Sequence, residues 1–393
     1  MASYIDLQNG FYNAFSQGLG FAPNVPFQMV QPSPPLVAGT IQDQQMWNYF
    51  NNIPPYSLTQ NFIASGGNQF FSDYSGLFSA LQGATNGFAS NVGPACNTAW
   101  LAYFATVPFT TPMSQAPMLF RNWAIRSGYA NVANVGASDL AELLLDPVSN
   151  AQMALMRYQP NGINPPAWDA GFAEMVKQLA VAPNRQFSLD SASMNSSVSS
   201  SWSGGSNDGF FGLWGGSSSS SSQSSTFASS RVTVQANFDH VLQLGAVPGD
   251  WYNSSAMSLA YANRDGAPWT SASPINWNNT FGTKGNMQRF ASTLIIASGM
   301  RVQVNSSAVF SKEDQSAITN NASAGMWPFY STNSSSSSST HVQFNDQGNM
   351  TVSFASLPNV PIVIGVIVEP VAEFVGQDAA QGVLRHLAKA RAS

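Results

Sequence analysis

Twice in this chain an unbroken run of serine stands before a stretch that alternates apolar and polar residues. Ser217 to Ser222 precedes Val232, Val234, Ala236 and Phe238, and Ser334 to Ser339 precedes the stretch from His341 to Phe344. Alternation at period two marks a strand with one covered face and one wet face. The first part of the chain carries helical spacing instead. The two patterns together predict an α+β protein. A mainly helical N-terminal domain takes residues 1–185, and a Ser/Gly-rich linker or insertion takes 186–230. An antiparallel β-sandwich-like domain with Ser/Gly-rich hairpin insertions takes 231–376, and a C-terminal helix or tail takes 377–393.

Within the helical part, Phe70, Phe71, Tyr74, Leu77, Phe78 and Leu81 form a stripe over 69–82, closed by Gly83. Cys96, Trp100 and Phe104 share one face over 95–106. Ser138 is expected to cap a short helix that Pro147 ends, and Pro165 with Pro166 to open another. In the β part, 290–297 and 302–310 read as two further strands. The stretches 341–344 and 349–354 flank the turn signal Asp346-Gln347-Gly348. Residues 362–368 are apolar at every position but Gly365, as in a strand covered on both sides. Residues 378–392 read as a terminal helix, acidic at its start and basic toward its end.

Each serine run also follows a cluster of bulky apolar residues. The first cluster holds Phe210, Phe211, Leu213 and Trp214; the second holds Met326, Trp327, Phe329 and Tyr330. A plain Gly/Ser linker has no use for such side chains. Trp and Phe concentrate binding energy in interfaces. The two clusters are therefore read as tips of Ser-rich hairpins that meet another molecule, and they are the candidate interaction residues.

Composition removes several alternatives. Charged residues are 8% of the chain, against about 25% in ordinary domains. No Lys, Arg or His stands before Arg121, and later cations are scattered. A phosphate-binding surface needs clustered cations, so nucleic acid is not an expected partner. The same gap leaves no basic leader for Sec, Tat or organelle import, so the expectation is a cytoplasmic protein or one released by a non-classical route. No apolar run reaches the length of a membrane helix. Cys96 is the only cysteine, so no intrachain disulfide can form, and its apolar neighbours predict a buried thiol.

No reaction is announced. His240 follows Asp239, but neighbours in a strand point to opposite faces and cannot form a dyad. There is no Gly-x-Ser-x-Gly, no zinc or EF-hand spacing, and Gly282-Thr283-Lys284-Gly285 lacks P-loop spacing. No catalytic residue, metal or cofactor is assigned. Asp239, Asp250, Asp265, Glu313, Asp314 and Asp346 could form a glycosidase pair only if the fold joined two of them.

The expected function is non-enzymatic: a structural or surface-binding protein that associates with itself as a homo-oligomer or with a membrane surface or glycan. One alternative is a pore-forming toxin with two insertable hairpins, although the serine runs offer lipid no apolar face. Another is a carbohydrate-binding or glycan-processing sandwich built on Trp251, Trp269 and Trp277.

Overall fold

The computed structural model describes residues 4–22, 25–30, 35–39, 41–54, 69–158, 164–197, 220–321 and 338–376. Both aromatic tips, Phe210, Phe211, Leu213, Trp214 and Met326, Trp327, Phe329, Tyr330, lie outside the described residues, as does the expected helix over 378–392. In chain order the elements begin with α1 (Tyr4–Gly18), β1 (Phe27–Met29), α2 (Gln42–Asn51), α3 (Phe70–Ser79), α4 (Phe88–Val92), α5 (Pro94–Phe104) and α6 (Ala116–Arg126). Next come α7 (Ala133–Leu143), α8 (Pro147–Leu155), α9 (Phe172–Ala180), β2 (Arg185–Asp190), α10 (Ser220–Ser229), β3 (Val232–Gly245), α11 (Ser254–Ala262) and α12 (Trp277–Thr280). The remainder is β4 (Arg289–Ser306), α13 (Lys312–Asn321), β5 (Ser338–Phe344), β6 (Met350–Ser356), β7 (Ile362–Pro370) and α14 (Val371–Phe374). The class is α+β, with helices mostly early and an antiparallel sheet mostly late.

These elements sort into two compact units, each drawn from separate stretches. One takes its described residues from 1–67, 170–245 and 291–368, the other from 68–169, 246–290 and 369–393. Helices α1, α2 and α9 thus belong with the sheet. Within the stretch 186–230, whose composition suggested a linker, residues 185–190 are a strand and 220–229 a helix. Phe187 and Leu189 point inward from that strand, and Phe227 is buried on that helix. The serine excess around them hides these few apolar anchors from a composition count.

The sheet unit holds one seven-stranded sheet, ordered β1-β7-β4-β3-β2, with β6 also on β4 and β5 on β6. A sandwich would have two facing sheets; here one sheet branches at a long strand. The expected strands 290–297 and 302–310 are a single β4 that ends at Ser306. Ser298-Gly299 resembles a turn in sequence, but Gly299 adopts φ +61 and bends the strand without ending it. A Cβ there would collide with the Asp239 carboxylate. Beyond the bend, Arg301 to Ser306 pairs with β6. Before it, Ser292 Oγ reaches the Ile367 carbonyl of β7 at 3.4 Å. β7 lies between β1 and β4 with Val363 to Val368 all buried, as its apolar run predicts. The hairpin also forms as read, with Gly348 at φ +81 closing the turn between β5 and β6.

Helix α1 supplies the centre of this unit's core. Leu7, Phe11, Phe15 and Leu19 recur every four residues and are fully buried. The Phe15 ring lies 5.9 Å from Phe27 on β1, 5.3 Å from Phe187 on β2 and 6.0 Å from Phe238 on β3. In a flat sheet β1 and β2 would be about 19 Å apart, four strand spacings. One ring can meet both only because the sheet curls around α1. Gly18 permits the closest approach, since a Cβ there would strike the Phe187 side chain. Farther along the chain, Asp43 of α2 accepts the Phe172 N–H at 2.7 Å and so caps α9. That cap sets the helix start after Gly171; Pro165 and Pro166 do not open it.

The second unit is built from short helices. Cys96, Trp100 and Phe104 of α5 share a core with Phe120 and Trp123 of α6 and Leu140 of α7. Cys96 is buried, and burial raises its thiol pKa. Ser138 lies inside α7, which begins at Ala133, so it caps nothing. The cap belongs to Asp146, whose carboxylate accepts the Ser149 N–H at 2.8 Å, and Pro147 opens α8.

Candidate functional site

Beyond Gly299 the sheet has one covered face and one open face. Strands β2, β3, β4, β6 and β5 run side by side there, and their registers align in three outward rows. The first row is Gln186, Asn237, Arg301, Ala355 and Ser339; the second is Ser188, Gln235, Gln303, Ser353 and His341. The third is Asp190, Thr233, Asn305, Thr351 and Gln343. Between them run inward rows such as Leu189, Val234, Val304, Val352 and Val342. The first two outward rows are exposed and the third is half-buried on four of its strands, the exception being exposed Gln343. The sequence predicts the alternation of β3 but not strand β2, and only pairing brings the polar sides into one surface.

This surface is large and almost free of net charge. Five strands and three rows give about 19 Å by about 14 Å. Of the fifteen positions (five by three), Asp190 and Arg301 are ionic, and each is neutralised locally. Arg301 pairs with Asp239, and Asp190 accepts from Arg231 Nε at 3.1 Å. In each pair the hydrogen bond holds the guanidinium pKa above its ordinary value. The third row is internally bonded. Thr351 donates to Asn305 Oδ1 at 3.1 Å, and Asn305 Nδ2 donates to Thr233 at 3.4 Å.

A cleft of about 650 Å³ opens beside β2. Its polar lining is Gln17 from α1, Gln186 and Ser188 from β2, and Gln235 and Asn237 from β3. None of these five side chains hydrogen-bonds to another described residue. They face solvent as free donors and acceptors, in contrast to the third row.

The other residues singled out from the sequence are dispersed. His240 Nδ1 lies 2.8 Å from the Ala182 carbonyl while Asp239 holds Arg301, so the neighbours form no dyad. Asp314 accepts from Gln223 and Ser311, and Asp346 is exposed at the hairpin turn. Among the described residues no three His, Cys, Asp or Glu side chains gather as a metal site requires. Trp251 is fully buried and donates to the Ala167 carbonyl. Trp269 donates to the Asn263 carbonyl at 2.6 Å, and the Arg264 guanidinium covers the Trp277 ring at 4.4 Å. These tryptophans offer no shared open platform for a sugar, because Trp251 packs among Phe70, Phe71, Tyr74 and Trp168 while Trp269 and Trp277 both pack against Phe281. Among the described residues no helix is long and apolar enough to cross a membrane.

Two titratable groups that the sequence did not flag lie in the helical unit. Asp73 on α3 has its pKa raised to about 6, by burial first, against an opposing hydrogen bond from Asn286. Arg157 is 1% exposed, donates from Nη1 to the Thr111 carbonyl at 2.6 Å, and stands over the Phe104 ring. Neither lies on the sheet unit that carries the polar face. No family model, curated protein or solved structure matches this chain.

Proposed function

We propose that this chain is a non-enzymatic association protein that holds copies of itself or a foreign surface through wide uncharged contacts. The observation that carries the reading is the fifteen-position sheet face, tiled with amides and hydroxyls and nearly without net charge. Such a face has little like-charge repulsion to overcome. The low overall charge of 8% extends this property to the chain as a whole. The tips at Phe210, Phe211, Leu213 and Trp214 and at Met326, Trp327, Phe329 and Tyr330 form the second part of the proposal, resting on sequence alone.

Sedimentation velocity over a concentration series, together with negative-stain imaging and co-sedimentation with particulate surfaces, tests the reading. Concentration-dependent assembly or retention on a surface is the expected result. Replacing Phe211, Trp214, Trp327 and Phe329 together by Ser should weaken it while near-UV circular dichroism stays unchanged. A strict monomer at every concentration, retained by no surface, would overturn the proposal.

A further inference from the structure

We infer that the amide-lined cleft beside β2 binds a neutral polysaccharide. The inference rests on the reading of this chain as a surface-binding protein and names the surface. Gln17, Gln186, Gln235 and Asn237 each bring a carboxamide, with two N–H donors and an acceptor oxygen, and Ser188 adds a hydroxyl. A sugar carries hydroxyls that donate and accept at neighbouring carbons, and a row of amides answers that pattern without a formal charge on either side. The cleft volume of about 650 Å³ lies within the usual range for small-ligand sites. These side chains have no intramolecular partner among the described residues, so binding breaks no internal hydrogen bond.

The charges near the cleft point away from an anionic ligand. Arg301 is paired with Asp239 and Arg231 with Asp190. Arg185 extends along Gly20, on the other side of β2 from Gln186. No unpaired cation is left among the lining residues to hold a phosphate or sulfate. The cleft alone cannot seat a second copy of this chain: even the whole sheet face spans only on the order of 300 Å² by strand geometry, so self-association needs surface beyond both to reach the roughly 800 Å² per partner of a stable interface. An added peptide strand would need the free edge of β2, where α1 closes in with Gly18 against Phe187 and the Gln186 carbonyl.

The test is retention of the purified full chain on insoluble or immobilised neutral polysaccharides (cellulose, chitin, cross-linked dextran, starch), with heparin as the anionic comparison. Retention on at least one neutral matrix, unchanged between low and high salt, is expected. The triple variant Gln186→Ala, Gln235→Ala, Asn237→Ala should lose about tenfold or more in affinity, the effect of one or two hydrogen bonds. All three positions are exposed, and circular dichroism with sedimentation checks that the variant is folded. Three outcomes would overturn the inference: no neutral matrix retains the chain, a folded triple variant binds as well as the parent, or only heparin retains it and salt releases it. If self-assembly or binding to another surface persists in those cases, this inference falls and the association reading stands. If neither is observed, both fall.

Discussion

The two halves of β4 are one continuous strand, yet they live under different rules. From Leu294 to Ser298 every residue is buried, whichever way it points. From Arg301 to Asn305 burial alternates, with Arg301 and Gln303 in water and Val302 and Val304 inside. On the first half β4 adjoins β7, a strand that is itself buried from Val363 to Val368. On the second half it pairs with β6, which alternates as β4 does. The bend at Gly299 separates the halves. Amides and hydroxyls collect on the half whose outer face is open, while the covered run from Leu294 to Ser298 has Ser298 as its one polar residue.

The largest contrast comes from truncating one side chain to alanine on each side of Gly299. Ile295→Ala, in the doubly covered half, should cost about 2–5 kcal/mol in urea unfolding. Gln303→Ala, in the open half, should shift stability by less than about 0.5 kcal/mol. Similar losses from both would mean that the outer face is covered in solution, which would itself point to self-association. Next in size is the bend. Gly299→Ala forces a side chain into a left-handed backbone and against Asp239, at about 1–3 kcal/mol. A neutral outcome by thermal unfolding would show that the bend does not hold the halves apart.

A smaller effect extends the rule to the helical unit. Asp73 lies in a covered place, and its pKa rises from 3.8 to about 6 through burial. Between those values the folded protein holds a proton that the unfolded chain has lost. Stability from this group is therefore fully present below about pH 4 and falls as pH climbs toward 6. Asp73→Asn should flatten the slope of Tm against pH in that window and leave the protein at least as stable at pH 7. An unchanged slope would place the proton elsewhere. The smallest effect belongs to the open face. Asp239→Asn breaks a pair whose Arg301 side chain is 58% exposed, and should cost about 0–1 kcal/mol. A loss above that range would show that the pair is shielded from water.

How far the sequence could be read depended on how local each signal was. The alternation of Val232 to Phe238 and the turn at Gly348 involve near neighbours, and both are found as read. The stripe on α3 and the buried thiol of Cys96 likewise follow from their own surroundings. Strand β2 was hidden because two inward anchors, Phe187 and Leu189, stand at the edge of a Ser-rich stretch. The start of α9 was misplaced because its cap, Asp43, comes from more than a hundred residues earlier. The cleft was illegible for the same reason, since Gln17, Gln186 and Gln235 belong to three distant elements. Single glutamines carry no pattern.

From side chains alone follow the class of the fold, the wet and dry sides of β3, and a composition poor in ions. These follow from side-chain period and composition, which act along the chain. The tertiary structure decided that the strands join in one branched sheet curled around α1, and that polar sides from five strands form one face. Register and strand order are set by contacts between residues far apart in sequence, and one register out of many brings a given set of amides together.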